Sequence, residues 1–371
     1  MVAPPLFRLA WLVTAAVLSA CGNGPEQAAP TPFTTAAPTT AAPTTAAPTP
    51  AAPTATTLDT GPPEVLVTGL EAPWGIDFLP DGDALVTERD SARILRVPAA
   101  GGDPVEVTTV AQARPRGEGG LLGLAVAPDG ETVYAYVTTA QDNRIVRFPL
   151  SDPDDVEPVL TGIPASSVHN GGRITFGPDG HLYAGTGDAG QPTRSQDPES
   201  LGGKVLRMTL DGEPVPGEDS LVFSRGHRNV QGLAFGPDDR LYAVEFGQNR
   251  FDEVNRVERG SNGGWPDVEG PGDGGGRFLA PITTWETSEA SPSGAAVVGD
   301  TLYVAALRGQ RLWQVPLADP GNPRALYEGE FGRLRAAARA PDGSLWVLTS
   351  NRDGRGDPVR QDDRILRLGV R

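Results

Sequence analysis

Apolar positions along this chain come in short bursts, and the same order of bursts recurs. LPDGDALVTERDSARILRV from Leu79, APDGETVYAYVTTAQDNRIVRF from Ala127 and GPDGHLYAGTGDAG from Gly177 are the first three copies. GPDDRLYAVEFGQNRFDEVNRV from Gly236, VGDTLYVAALRGQRLWQV from Val298 and APDGSLWVLTSNRDG…DDRILRL from Ala340 are the other three. In each, an apolar strand leads into a Pro-Asp-Gly-type turn and an alternating strand such as LYAV follows. Most copies end in a third strand such as RILRV. Proline fixes φ, aspartate bonds its own turn and glycine tolerates positive φ, so the tripeptide signals a hairpin. The turns start at 80, 128, 178, 237 and 341; successive copies are spaced by roughly 40–60 residues, near the range expected for propeller blades. The fifth copy, at Gly299-Asp300, lacks the proline. No segment sustains a helical period. The pattern predicts an all-β chain folded as a six-bladed β-propeller. Excess length between 180 and 235, and between 250 and 297, marks where site-building loops are expected.

The ends change the picture. Arg8, the apolar run from Leu9 to Leu18 and the tetrapeptide Leu18-Ser19-Ala20-Cys21 have the layout of an export signal, too short to span a bilayer. The tetrapeptide resembles the lipobox of bacterial lipoproteins, which implies lipidation of Cys21 after removal of a signal peptide, residues 1–20. Cys21 is the only cysteine, so no disulfide forms within the chain. Residues 21–60, a Pro/Thr/Ala tract with little to bury, are expected to be an extended tether. Residues 61–371 are left for the propeller, which is expected to be extracytoplasmic, lipid-anchored to the bacterial cell membrane and in contact with it through the lipid alone.

Net charge is −16, and the 31 basic residues include one lysine, Lys204. An acidic chain without a basic run is a poor nucleic-acid binder, and that class is set aside. Any local group of arginines then points to an anionic ligand.

Five blocks carry further information: GEGGLLGLAVAPD, VHNGGRITFGPDG, the long loop after LYAGTGDAG, SRGHRNVQGLAFGPDD, and EFGQNRFDEVNRVERGSNGGWPDVEG. In this order and spacing they resemble the glucose/sorbosone dehydrogenase family, over residues of about 64–369. That family includes quinoprotein sugar dehydrogenases that use pyrroloquinoline quinone (PQQ). The resemblance implies oxidation of an aldose C1 hydroxyl to a lactone, with electrons passed to a quinone or other small acceptor. The proton needs a base near neutral pH, which histidine supplies. The hydride needs an electrophile that no side chain provides, so a cofactor must.

The resemblance assigns roles residue by residue. His169 matches the catalytic base, Asp188 the acid that orients it, and Arg228 a group that stabilises charge on the reduced cofactor. Arg228, Asn229, Arg333, Arg335, Arg308, Trp285 and Glu118 match positions beside the cofactor. Alternation puts Arg333 and Arg335 on one face of a strand, which suits joint recognition of a polyanion. The carbonyls of Gly247 and Gln248 match those that hold the cofactor's calcium ion, and Glu253 with the Gly263 carbonyl a second calcium site. His227 is read as structural. The family often has Gln where Glu118 stands, a polar residue where Val168 stands and an aromatic where Gly263 stands. A carboxylate at 118 would repel an anionic cofactor unless neutralised.

Two other readings compete: a non-catalytic ligand-binding or scaffold propeller, and a metal-dependent lactonase of the same fold. No Gly-X-Gly-X-X-Gly opens a βαβ unit, so a nicotinamide enzyme is not supported.

Overall fold

The structure, a computed structural model, describes residues 57–371; the signal peptide, Cys21 and nearly all of the tether lie outside the described residues. It is all-β apart from one 3₁₀ turn at Pro192–Ser195. Six antiparallel-based sheets stand around an axis as the blades of a propeller. Their innermost strands are Pro73–Phe78, Leu121–Val126, Gly171–Phe176, Val230–Phe235, Pro292–Val298 and Leu334–Arg339. Each touches the next, and the last returns to the first, which closes the ring. The sixth blade takes its outer strand from the other end of the chain: Glu64–Val67 pairs with Ile365–Leu368. Leu58 adds a bridge to Val370.

The repeats seen in the sequence map one to a blade. Each Pro-Asp-Gly turn joins an innermost strand to the second strand of its blade, for example Phe78 to Ala84 and Phe176 to Leu182. All such turns therefore share one rim, because strand direction alternates within a blade.

Two features let six strands converge on one axis. The innermost strands of four blades carry glycine at matching places, Gly75, Gly123, Gly232 and Gly294, with Arg173 at that place in the third blade and Ala336 in the sixth. A Cβ on Gly123 would lie 2.3 Å from the Gly172 carbonyl oxygen, and one on Gly232 equally close to that of Ser293. Each of these strands also slips register against its partner near its start. Such bulges re-aim side chains at a rim, and here they sit at the rim opposite the Pro-Asp-Gly turns. Apolar clusters fill the spaces between neighbouring sheets. Leu122, Tyr134, Tyr136 and Ile174, for instance, are buried together where the second and third blades meet. Burial of this kind contributes about 1.5–3 kcal/mol per large side chain.

The only lysine is fully buried. Lys204 Nζ donates to the carbonyls of Arg194, Gly202 and Ser195 at 2.6, 2.8 and 3.2 Å. It pins the loop 191–203, and burial pushes its pKa down to about 8.

Candidate active site

Alternation puts two sets of connections at the rim away from the Pro-Asp-Gly turns: those entering innermost strands and those leaving second strands. His169, Arg228, Asn229, Glu118 and Arg333 stand just before innermost strands, and Arg335 is the second residue of its own. Asp188 and Gly247 follow second strands. Residues distant in sequence so meet at one end of the axis.

His169 Nδ1 lies 2.7 Å from Asp188 Oδ1, and its Nε2 lies 2.8 Å from Arg228 Nη2. A guanidinium only donates, so Nε2 accepts and the ring proton sits on Nδ1, donated to Asp188. The basic lone pair is thereby turned toward Arg228. Asp188 is fully buried. Burial raises its pKa, but the hydrogen bonds from His169, the Gly190 N–H and the Trp265 indole outweigh it and hold the carboxyl below its usual range. The His169 backbone has φ +52°, a conformation that costs an ordinary residue roughly 1–2 kcal/mol. Its N–H donates to Glu118 Oε2 at 3.0 Å.

Arg228 is held by its partners. Its backbone N–H donates to Glu245 Oε2 at 2.7 Å and Nη1 to the Phe246 carbonyl at 3.2 Å. Burial lowers its pKa, against the opposing pull of Asp188, Glu118, Glu245 and Glu269.

Beside this dyad lies a narrow chamber, of about 10 Å³ as it stands, whose wall includes Trp74, Arg89, Gln231, Phe246, Arg335 and Arg355. Arg335 Nη1 donates to Gln231 Oε1 at 2.9 Å. Arg333 and Arg335 are both buried and share Asp353 Oδ2, at 2.8 and 3.5 Å, so they do lie on one face. Arg173 stacks on the Trp74 ring at 4.4 Å and has no carboxylate partner; burial alone pushes it down to about 9. Burial likewise pushes Arg335 to about 9 despite the opposing pull of Asp353, with Arg89, Arg333 and Arg173 adding to the fall. Among the described residues, Arg173 Nη2, Arg228 Nε, Asn229 Nδ2 and Arg335 Nε are buried donors without an acceptor. Unsatisfied buried donors cost free energy. Four of them among crowded cations fit a polyanion rich in acceptor oxygens.

The turn at Gly247 and Gln248 gives its N–H groups to Asp252 and Glu269, at 2.9 and 2.7 Å. Its carbonyls are the polar atoms left to offer. Glu253 and Gly263 line one small cavity of about 10 Å³ with Glu245 and Glu269, room for about one water or ion. Burial and the charges of Glu245 and Glu269 push the Glu253 carboxyl up to about 8. Its oxygens accept from Gly270 N–H and Asn255 Nδ2. Among the described residues, no three His, Cys, Asp or Glu side chains gather around a metal position.

One expected cofactor residue stands elsewhere. Trp285 is on an outer strand, Thr283–Glu286, stacked on Trp313 at 5.3 Å within an inter-blade cluster. It is a packing residue, because an aromatic on that strand faces the neighbouring sheet and not the axis. Arg308 is exposed, next to Leu307, which lines the chamber. Glu118 is tied to His169 and Arg355. His227 is fully buried between Ser224 Oγ and Glu245 Oε1, both at 2.7 Å, and is structural.

Several site residues escaped the sequence reading. Trp265 donates to Asp188 Oδ2 at 3.0 Å; a lone tryptophan inside SNGGWPDVEG was the available signal. Asp353 and Arg355 lie in the NRDGRGDPVR loop, and only ring closure brings that loop to His169. Trp74 and Arg173 sit on innermost strands whose bulges turn them inward.

The fold and site define a six-bladed propeller with a His–Asp dyad beside an arginine-lined chamber. Residues 70–366 match the family model described as Glucose / Sorbosone dehydrogenase. The chain belongs to that family, and is an oxidoreductase of the sugar dehydrogenase type. The PQQ-bound aldose sugar dehydrogenase of Streptomyces coelicolor superposes with a TM-score of 0.79 at 51% identity, over 83% of this chain and 97% of that one. The aldose sugar dehydrogenase YliI of Escherichia coli is 27% identical over 78% of this chain and 90% of its own. Quinoprotein glucose dehydrogenase B of Acinetobacter calcoaceticus is 32% identical over 58% of this chain and 55% of its own length.

Proposed function

We propose that the protein oxidises the C1 hydroxyl of aldose sugars to a lactone with PQQ as cofactor and calcium beside it, passing electrons to a quinone or other small acceptor. One observation carries the reading: a His–Asp dyad opens beside a chamber of buried arginines whose donors lack an acceptor. PQQ bears three carboxylates, and its chemistry when bound is hydride acceptance. Arg335, Arg333, Arg173 and Asn229 would hold the carboxylates and ring oxygens, and the Gly247 and Gln248 carbonyls the calcium ion. The PQQ-bound relative supports PQQ as the cofactor.

The chain's own groups do the proton work. Asp188 keeps the His169 proton on Nδ1, so Nε2 is the free base. A sugar hydroxyl gives its proton to Nε2 once it takes the place of Arg228 there. The guanidinium stays beside the reacting oxygens as a fixed positive charge, which favours developing negative charge. An arginine-lined chamber is the reverse of the carboxylate cage that a lactonase metal would need. Export and lipid anchoring at Cys21 complete the proposal, on the strength of the N-terminal sequence.

The test is to mix purified protein with PQQ and calcium and follow reduction of a dye across a panel of aldoses. Turnover is expected, and a His169→Ala variant should lose it by about 10²–10⁴-fold while still binding cofactor. Calorimetric binding of PQQ without turnover of any sugar would favour a binding propeller. No binding and no turnover would end the enzyme reading.

A further inference from the structure

One carboxylate in the site is at odds with an anionic cofactor: Glu118. Its surroundings explain it. Both terminal nitrogens of Arg355 reach Glu118 Oε1 at 3.1 Å, from a loop on the far side of the ring closure. The other oxygen, Oε2, accepts the His169 N–H. The Glu118 N–H in turn donates to the Ser167 carbonyl at 2.9 Å, so the two loops grip each other in both directions. Next to Glu118, Gly117 has φ +58°, and a Cβ there would lie 2.2 Å from the Ser167 oxygen. The loops are in contact, with no room for a side chain between them at Gly117.

The Arg355 end is anchored too. Its backbone N–H donates to Asp353 Oδ1 at 2.9 Å, and Asp353 Oδ2 takes Arg333. Arg89 Nη2 reaches the Asp353 carbonyl at 3.2 Å. One acidic residue thus connects the tie across the channel with the arginines that wall the chamber.

We propose that Glu118 and Arg355 are positioning residues, a cross-channel tie that holds His169 in its left-handed backbone conformation. Arg355 neutralises Glu118, so the carboxylate can face the chamber, and the carboxylate fixes the peptide that aims the imidazole. Glu118 then acts through His169 and is not a ligand of the cofactor. The inference rests on His169 being the base.

Three full-length variants test it: E118A, E118Q and R355Q. The first readout, amide hydrogen exchange at His169 in protein without cofactor or sugar, does not depend on the reaction. Loss of the acceptor in E118A should speed exchange by about tenfold. E118Q keeps an acceptor oxygen and should stay near wild type, with R355Q between. The second readout is kinetic, in cofactor-loaded enzyme: E118A should lower kcat by about tenfold with sugar KM and cofactor Kd changed less than about threefold, and E118Q should recover most of kcat. R355Q, with its side chain largely in solvent, covers the case in which E118A does not fold. Unchanged exchange in R355Q and E118A would overturn the proposal. So would a cofactor Kd raised about tenfold or more at unaltered kcat, which would make Glu118 a ligand. If wild-type protein binds no cofactor yet His169 exchange responds as stated, the functional reading fails and the tie stands.

Discussion

The indole Nε1 of Trp265 donates to Oδ2 of Asp188 at 3.0 Å, while Oδ1 of the same carboxylate takes His169 Nδ1. Both oxygens of the orienting acid are therefore committed, one to the base and one to a ring 77 positions away. Trp265→Phe keeps an aromatic ring, though a smaller one, and removes the donor. Asp188, held low in the folded protein, then loses a partner of its charged form, and its pKa moves up. The stability and activity that depend on the carboxylate are lost as pH falls, and in the variant that loss begins at a higher pH. Steady-state kinetics across pH should show the acid limb displaced upward and kcat lowered by about tenfold.

Arg335 separates stability from binding. Its guanidinium is buried among other cations with Nε unsatisfied, so it is held in place against electrostatic cost. Arg335→Met is close in volume, and Asp353 keeps Arg333. Thermal melts without cofactor should show an unchanged or raised midpoint, whereas calorimetry should show PQQ affinity reduced by about tenfold or more. A lowered midpoint with intact affinity would assign Arg335 to the fold alone.

Asp77 gives a pH signature at the opposite end of the axis. Burial pushes its carboxyl up to about 6, although the N–H groups of Val126 and Phe78 pull it down. A carboxyl with a raised folded pKa adds stability that is complete below the unfolded value, near 4, and is lost as pH rises through about 6. Denaturant unfolding of wild type and Asp77→Asn should therefore diverge in that window. Wild type should gain on the order of 2 kcal/mol relative to the variant as pH falls from above 6 to about 4.

Calcium should matter to cofactor retention. If the Gly247 and Gln248 carbonyls hold the ion against PQQ, a chelator will release the cofactor and calcium will restore it. Magnesium, which demands a tighter octahedron, will restore it poorly. Equilibrium dialysis of PQQ with each metal measures this directly.

The sequence carried the blade grammar because a Pro-Asp-Gly turn and an alternating strand are local events. His169 and Asp188 were expected together from the family resemblance, each lying in a compact block, and the structure brings their side chains to 2.7 Å. What escaped depends on closure of the ring. Glu64–Val67 looks like a lead-in to the first repeat, and its place in the last blade follows only from the axis. The partner that neutralises Glu118 is 237 residues away, so no window on the chain could pair them. Bulges turn Trp74 and Arg173 inward, and a register slip leaves no mark in an apolar strand. Trp285 shows the converse error, an aromatic in a well-matched block whose strand lies at the outside of its blade.

Lys204 has a practical consequence. Reagents that seek ε-amines have a single target in the sequence, and it is enclosed by three carbonyl oxygens. Slow acylation at that ε-amine would time the opening of the loop 191–203. Fixing the protein to an electrode or bead through lysine would fail for the same reason. Its 47 aspartates and glutamates offer the covalent handle instead, provided the chamber is protected by bound cofactor while the carboxyls are activated.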